Sequence, residues 1–322
     1  MNEPSIPVGR KVVVVGAGAV GSTFCYALAQ SGLADEIVLI DKNADLARGQ
    51  ALDLVHGQPF FPTVAIRIGD AADYADAHVI VVTAGTAQRP GETRLDLLHR
   101  NASIVGQIAD DIAARGSRAI VIVVTNPVDV LTHVALRRTG FERGRVIGSG
   151  TVLDSARFRH LLSRHCGVDV HNVHAYVLGE HGDSELAAWS MTHVGGMPID
   201  EYCPVCGRCE DWPAERARIE EEIRRSAYHI IDYKGATYFG IGLALVRIVA
   251  AVLRNERGVL TVSALLDGEF GLRDVCLSVP CIVSSAGVEK ILEPRLPPDE
   301  LNALAASAVL LKDAIHQLAD SA

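Results

Sequence analysis

The chain has 322 residues and a formal net charge of -9, enough length for two modest domains or one large one. Hydrophobic residues make up 49% and charged residues 21%, which excludes a disordered chain and supplies a core that needs no disulfide or metal staple. Lysines and arginines are scattered among carboxylates without a basic patch, which excludes a nucleic-acid partner. An anionic substrate must then be held by locally placed cations.

Residues Met1 to Gly9 carry Pro4 and Pro7 and no basic start leading into a long apolar core, so no targeting segment is expected. No stretch reaches the roughly 20 apolar residues of a membrane helix, so no membrane partner is expected. The 7 cysteines are an odd count in a large acidic chain, which points to reduced thiols and a cytoplasmic location.

In chain order, Val12-Val15, Glu36-Ile40, Val79-Thr83 and Ala119-Thr125 read as buried strands rich in Val and Ile. Helical patterns such as Val20-Ser31 and Arg94-Arg115 lie between them, and Val146-Gly148 closes the unit as one more short strand. Such alternation implies a parallel sheet with helices on both faces. After Gly148 the texture changes. Thr151-Cys166 reads as a helix, Val173-Leu178 as a strand, and Met191-Pro198 as a strand-like segment ending in a Gly-Gly-Met-Pro turn. Pro213-Lys234 and Gly242-Arg254 read as helices, Val259-Leu266 and Val275-Val283 as antiparallel strands, and Pro298-Leu318 as an amphipathic helix. The expected fold class is α/β: a doubly wound parallel sheet over residues 1-148, then a closely packed α+β substrate domain over 149-322.

Gly16-Ala17-Gly18-Ala19-Val20-Gly21 follows the first strand and opens a helix. The first glycine permits the tight turn, the second lets a pyrophosphate approach the backbone, and the third lets helix and strand pack closely. The helix N-terminus offers free N–H groups to the anion. Asp41 ends the second strand, where a carboxylate accepts hydrogen bonds from a ribose diol and repels a 2′-phosphate, so NAD is favoured over NADP. The unit is therefore of the Rossmann type. FAD would give the same fingerprint, but no second flavin-type motif is present.

Asp154 and Arg157 lie three apart and share a helix face. His181 sits on a glycine-flanked turn in Leu178-Gly-Glu-His-Gly-Asp-Ser-Glu185. A histidine there is by itself most simply structural; a carboxylate partner changes the reading. Reduction of a carbonyl by hydride needs a proton at oxygen, and a histidine can give and take it near neutral pH. Asp154 would fix its tautomer and favour the imidazolium. Arg157 is the candidate bidentate clamp for a substrate carboxylate, with a structural salt bridge as the plainer alternative. Gly85, Pro90 and Gly91 suit a hinged loop after the Val79-Thr83 strand, with Arg94 as the charge such a lid would bring to the carbonyl. A solvated charged loop is the alternative.

These residues resemble the lactate/malate dehydrogenase family, and within it the lactate-specific bacterial allosteric members. The motifs that carry the resemblance span almost the whole chain: Gly16-Ala-Gly-Ala-Val-Gly21, Gln88-Arg-Pro-Gly-Glu-Thr-Arg94, Thr125-Asn-Pro-Val-Asp129, Gly148-Ser-Gly-Thr-Val-Leu-Asp-Ser-Ala-Arg157, Gly179-Glu-His-Gly-Asp183 and Lys234-Gly-Ala-Thr237. The resemblance implies reduction of pyruvate to (S)-lactate by NADH, the last step of fermentative glycolysis, in a homotetramer. It implies His181 as acid and base, Asp154 as its partner, Arg157 as carboxylate clamp and Arg94 as lid arginine. Asn126 would contact cofactor ribose and substrate. Thr83, Ala84 and Gly85 would join the fingerprint and Asp41 in the cofactor site, with Asn101 and Ser149 on the nicotinamide side and Thr237 beside the substrate. Malate-specific members carry an arginine where this chain has Gln88. A neutral Gln88 leaves a second substrate carboxylate unpaired, which favours pyruvate. Arg89 next to it is a possible source of a cation, though the match through Pro90-Gly91 opposes a shift.

The resemblance also implies that Arg159 and His174 bind fructose 1,6-bisphosphate across a subunit interface; two solvated or interface cations are the alternative. Cys203-Pro-Val-Cys-Gly-Arg-Cys209 has metal-ligand spacing, but a closed zinc site needs a fourth ligand and no adjacent histidine supplies it. Cys203, Cys206 and Cys209 are therefore read as free thiols, with zinc or a redox pair as alternatives and His165 as incidental; no metal is expected. Two rival functions stay open: a dehydrogenase for malate or another 2-hydroxy acid, and a non-catalytic NAD-binding protein reusing the fold.

Overall fold

The computed structural model describes residues 9–87 and 93–319, with the side chains of Arg94 and Ala319 outside that description. The chain opens β1(Lys11–Val15), α1(Ala19–Ser31), β2(Glu36–Ile40), α2(Ala44–His56), β3(Ala65–Ile68), β4(Val79–Val82), α3(Arg94–Ala114), β5(Ile120–Val123), α4(Val128–Thr139) and β6(Val146–Gly148). All of β1, β4 and β5 is buried, as expected for strands covered by helices on both faces. The six strands pair in parallel in the order 3-2-1-4-5-6.

The second part contains α5(Val152–Cys166), β7(Val173–His174), β8(Val177–Leu178), β9(Leu186–Ala187), β10(His193–Val194), β11(Met197–Pro198), α6(Ile199–Val205), α7(Trp212–Lys234), α8(Phe239–Leu253), β12(Gly258–Asp267), β13(Arg273–Ser284), β14(Gly287–Ile291) and α9(Pro298–Ala319). β6 does not close the sheet. Ser263 of β12 pairs with Gly148, and β12, β13 and β14 continue the sheet antiparallel to a total of nine strands among the described residues. Gly148 is what permits this approach: a Cβ there would stand 2.8 Å from Cβ of Ser263 and 2.5 Å from Oγ1 of Thr132.

Two local expectations change. The run Val173-Leu178 is two short strands in different sheets, β7 with β10 and β8 with β9, separated by Ala175 and Tyr176. Met191-Pro198 is a hairpin of β10 and β11 with Gly195 and Gly196 at its turn, both at positive φ. Alternation of apolar residues does not report such partner changes.

One core runs through both parts, from β1 and α1 to α8, β13 and α9. A second cluster fills the outer side of α5, where Phe158 and Leu162 meet Trp189, Ile199, Ile219 and Ile223. Thus α5 is clasped on two sides. Its N-terminal end is tied further by hydrogen bonds: Thr151 Oγ1 donates to the carbonyl of Val177 at 2.5 Å, and Ser155 Oγ accepts from the Val177 N–H at 2.9 Å. Among the described residues no helix is long and apolar enough to cross a membrane.

Candidate active site

The glycine loop joins β1 to α1 over the end of the sheet. Gly16 has φ +109°, a conformation L side chains rarely adopt. A Cβ on Gly21 would fall 1.9 Å from the Gly16 carbonyl oxygen, so helix and loop can meet only without a side chain there. Gly18 differs: a Cβ on it would meet nothing within 4 Å, because it faces open space. Gly18 is also the N-cap of α1 and no side chain caps the helix, so the N–H groups of the first turn stay available to an anion.

A cleft of about 610 Å³ runs past this loop, lined by Gly16, Gly18, Asp41, Thr83, Ala84 and Gly85 among others. Ala19 and Val20 form the first turn of α1, and Gly21 packs beneath. Asp41 is fixed at the lip, with Oδ2 accepting from the Ala17 N–H at 2.7 Å and Oδ1 from the Asn43 N–H at 2.8 Å. Thr83 Oγ1 donates to the Gly16 carbonyl at 2.9 Å and so braces the loop from the next strand. Uncapped helix donors, an open approach at Gly18 and a carboxylate at the lip fit a dinucleotide.

Asn101 is buried and its amide is already used. Its Oδ1 accepts from the Thr86 N–H at 2.9 Å and its Nδ2 donates to the Asn126 carbonyl at 2.9 Å. It therefore ties the loops after β4 and β5 together, leaving Asn126 exposed before the cis Pro127. Ser149 is buried and continues β6, its N–H donating to Val123 at 2.8 Å. Thr237 lies in the connection between α7 and α8, and no hydrogen bond among the described residues ties it to His181 or Arg157. Gln88 lies outside the described residues; Arg94 opens α3, capped by Thr93, whose Oγ1 accepts from the Asp96 N–H at 3.1 Å.

The structure brings His181, Asp154 and Arg157 together. Asp154 Oδ2 meets His181 Nδ1 at 2.6 Å, and Asp154 Oδ1 accepts from the Arg157 guanidinium at 2.6 Å. The Asp154 side chain is only 2% exposed, against 26% for His181 and 13% for Arg157. Each oxygen of one buried carboxylate thus orients one partly accessible group. The Asp154 charge pushes the imidazole up to about 9, burial opposing it. Burial also opposes the charge on Asp154, but His181 and Arg157 outweigh it and hold the carboxyl below its ordinary range.

Two residues given no role from sequence reasoning complete the setting. Asp129, buried in the first turn of α4, accepts the His181 backbone N–H at 2.8 Å. Burial pushes its carboxyl up to about 6, against hydrogen bonding that favours the charge. Its signal was available at the end of the Thr125-Asn-Pro-Val-Asp129 motif. Glu185, four residues past His181, places its carboxylate within 4.8 Å of the Asp154 and His181 ligand atoms. Desolvation, then the Asp154 charge, push its carboxyl well above the ordinary carboxylate range. The turn itself is anchored on α9, where Ser307 Oγ accepts the Glu180 N–H at 2.7 Å.

Arg159 points away from this group. It donates to the Val173 carbonyl at 2.8 Å and the Val170 carbonyl at 3.3 Å. With His174 and Arg247 it lines a separate open depression of about 500 Å³.

Comparison with known proteins places this geometry in a family. Residues 10–148 match the lactate/malate dehydrogenase NAD binding domain, and residues 151–322 match the lactate/malate dehydrogenase alpha/beta C-terminal domain. An L-lactate dehydrogenase of Treponema denticola is 63% identical over 310 residues, covering 96% of this chain and 98% of the relative. An L-lactate dehydrogenase of Acetivibrio thermocellus is 51% identical, covering 96% and 97%. The crystal structure of a minor L-lactate dehydrogenase from Enterococcus mundtii in its ligands-bound form superposes with a TM-score of 0.93 at 43% identity, covering 96% of this chain and 98% of that one. A chain with the dinucleotide cleft, the shared carboxylate and both domain matches in order belongs to the lactate/malate dehydrogenase family.

Proposed function

We propose that this chain is an NAD-dependent L-lactate dehydrogenase that interconverts pyruvate and (S)-lactate. The observation that carries the reading is the single buried carboxylate of Asp154, which holds both an imidazole and a guanidinium. NADH, when bound in the cleft, supplies the hydride that goes to the carbonyl carbon. His181 keeps Nδ1 on Asp154, so Nε2 is the atom that gives its proton to the carbonyl oxygen and takes it back in the reverse direction. Reduction therefore converts imidazolium to imidazole as the alcohol forms. Arg157, held at one nitrogen by Asp154, has further N–H groups with which to clamp the substrate carboxylate. We assign the lid charge to Arg94, the contacts to ribose and substrate to Asn126, and the substrate side-chain position to Thr237 and Gln88.

Gln88 supports pyruvate over oxaloacetate, because a second carboxylate would find no cation at that position. The test is a comparison of kcat/KM for pyruvate, oxaloacetate and 2-oxoisocaproate with NADH, with the product resolved by enantiomer. Preference for pyruvate and an (S) product support the reading; preference for oxaloacetate overturns it.

We further propose a homotetramer with a phosphate-anion effector site at Arg159 and His174, the ligand being fructose 1,6-bisphosphate. The supporting observation is that Arg159, His174 and Arg247 line one depression, edged by Leu243 of α8 and Val259 of β12, both exposed. Exposed apolar residues beside a cationic depression suit a face covered by a second copy. Titration of the bisphosphate against pyruvate half-saturation and against native mass tests this; no change in either contradicts it. We place the division between cofactor and substrate parts after Gly148, and the protein in the cytoplasm, where its seven free thiols stay reduced.

A further inference from the structure

The segment Cys203 to Cys209 is unused by the proposed reaction, and the fold gives it a partner that lies far away in sequence. The last turn of α5 brings His165 against the end of α6. His165 Nε2 lies 3.5 Å from Cys203 Sγ, and the ligand atoms of His165, Cys203 and Cys209 all lie within 4.8 Å of one another. A tetrahedral zinc ion with Zn–S about 2.3 Å and Zn–N about 2.0–2.1 Å separates its S and N ligands by about 3.6 Å. The imidazole and the Cys203 thiol are already at that spacing.

The outer contacts also suit a metal. His165 Nδ1 meets the Glu215 carboxylate at 3.1 Å, which orients the ring and leaves the Nε2 lone pair toward the thiols. The His165 side chain is only 7% exposed, and Trp212 lies over it with ring centroids 5.7 Å apart. Cys203 is buried, so an ion held there would be shielded from solvent on that side. Cys206 caps α6, with Sγ donating to the Cys203 carbonyl at 3.1 Å. It sits three residues from each of the other thiols, the spacing of zinc-knuckle ligands.

We propose that His165, Cys203 and Cys209 bind a structural zinc ion that ties the α6–α7 connection to the end of α5, with Cys206 completing the set once its Sγ turns from the Cys203 carbonyl. The site borders the second hydrophobic cluster through Trp212 and uses none of the residues assigned to the proton or hydride step, so it stands independently of the proposed activity. Its role is mechanical: it fixes the far end of the helix that carries Asp154 and Arg157.

The test uses the full chain purified under reducing conditions, stripped with chelator and reductant, and then given zinc or cobalt(II). After gel filtration, one zinc per chain by elemental analysis is expected. Cobalt(II) is expected to give thiolate-to-metal charge transfer and tetrahedral visible bands. Both tryptophans of the chain lie nearby, Trp189 within 5.4 Å of Trp212, so their fluorescence reports loading. Cys209→Ser and His165→Asn should each lose the retained metal and the rise of Tm on zinc addition, with pyruvate turnover kept at permissive temperature. Cys209 is half-buried on a loop, so its variant folds even where a Cys203 variant does not. Failure of the reduced parent to retain zinc, or recovery of a Cys203–Cys209 disulfide as its stable state, overturns the proposal. So does zinc that survives Cys209→Ser and inhibits turnover, which would place the ion at Asp154, His181 and Glu185 instead.

Discussion

Asp154 and His181 meet at 2.6 Å across two helical and turn elements that are 27 residues apart in the chain, with the carboxylate buried and the imidazole reachable. The asymmetry matters. A buried anion that cannot be solvated is satisfied only by its partners, so it holds the imidazole in one orientation and in its charged form.

That relationship fixes a pH profile. His181 is raised to about 9 from an ordinary 6.5, so kcat/KM for reduction should be level near neutrality and fall tenfold per pH unit above about 9. Asp154→Asn removes the charge that raises the imidazole, so the inflection should move down toward about 6.5. Steady-state kcat/KM from pH 5 to 10 reads it; an unmoved inflection would mean another group titrates. Stability follows the same pair. The raised histidine contributes fully below its unfolded pKa and loses that contribution as pH rises through about 9; the depressed Asp154 loses its contribution as pH falls through its folded value.

The glycine loop yields a paired prediction. Gly21→Ala places a methyl 1.9 Å from the Gly16 carbonyl oxygen, so backbone must move and the fold loses stability by roughly 1–3 kcal/mol. Gly18→Ala meets no protein atom within 4 Å, so Tm should hold while NADH affinity falls. Calorimetry beside NADH fluorescence titration separates the two. Equal Tm loss in both would show that Gly18 serves packing rather than the dinucleotide.

Asp129 is predicted to set the position of the His181 turn. Asp129→Ala leaves the His181 N–H without its acceptor in a buried place, a cost of about 1–3 kcal/mol. Asp129→Asn keeps an acceptor oxygen and should be milder in both Tm and kcat. The parent's Asp129 has a folded pKa of about 6, above its ordinary 3.8, so its burial penalises the fold progressively as pH rises through that window. Denaturation of parent and Asn variant at pH 4.5 and 7 should therefore show the variant gaining relative stability at the higher pH.

Substrate choice is predicted to rest on Gln88. Gln88→Arg supplies a cation for a second carboxylate, and the ratio of kcat/KM for oxaloacetate over pyruvate should rise by at least tenfold to a hundredfold, as for a charge pair worth about 1.5–3 kcal/mol. An unchanged ratio would assign discrimination to another position, Thr237 first.

Much of the cofactor half was legible because its constraints are local. Gly16 and Gly21 are dictated by backbone geometry within six residues, and β1, β4 and β5 by continuous apolar runs. The pairing of Asp154 with His181 was legible because chemistry demands a carboxylate beside such a histidine. What the residues could not announce is long-range. The antiparallel joining of β12 to β6, the split of Val173-Leu178 between sheets, and the docking of His165 on Cys203 each depend on a partner outside the local pattern. Glu185 looked like any polar turn residue, because its altered titration comes from burial that only the fold creates.

The most direct test of His181 as the proton donor is His181→Asn, followed by NADH titration and single-turnover oxidation of NADH by pyruvate. NADH affinity should be unchanged, because the cleft lies at the glycine loop, with the hydride step slowed by about 10²–10⁴-fold for loss of a general acid. A single-turnover rate within tenfold of the parent would contradict that role, since the proton would then come from a group other than His181.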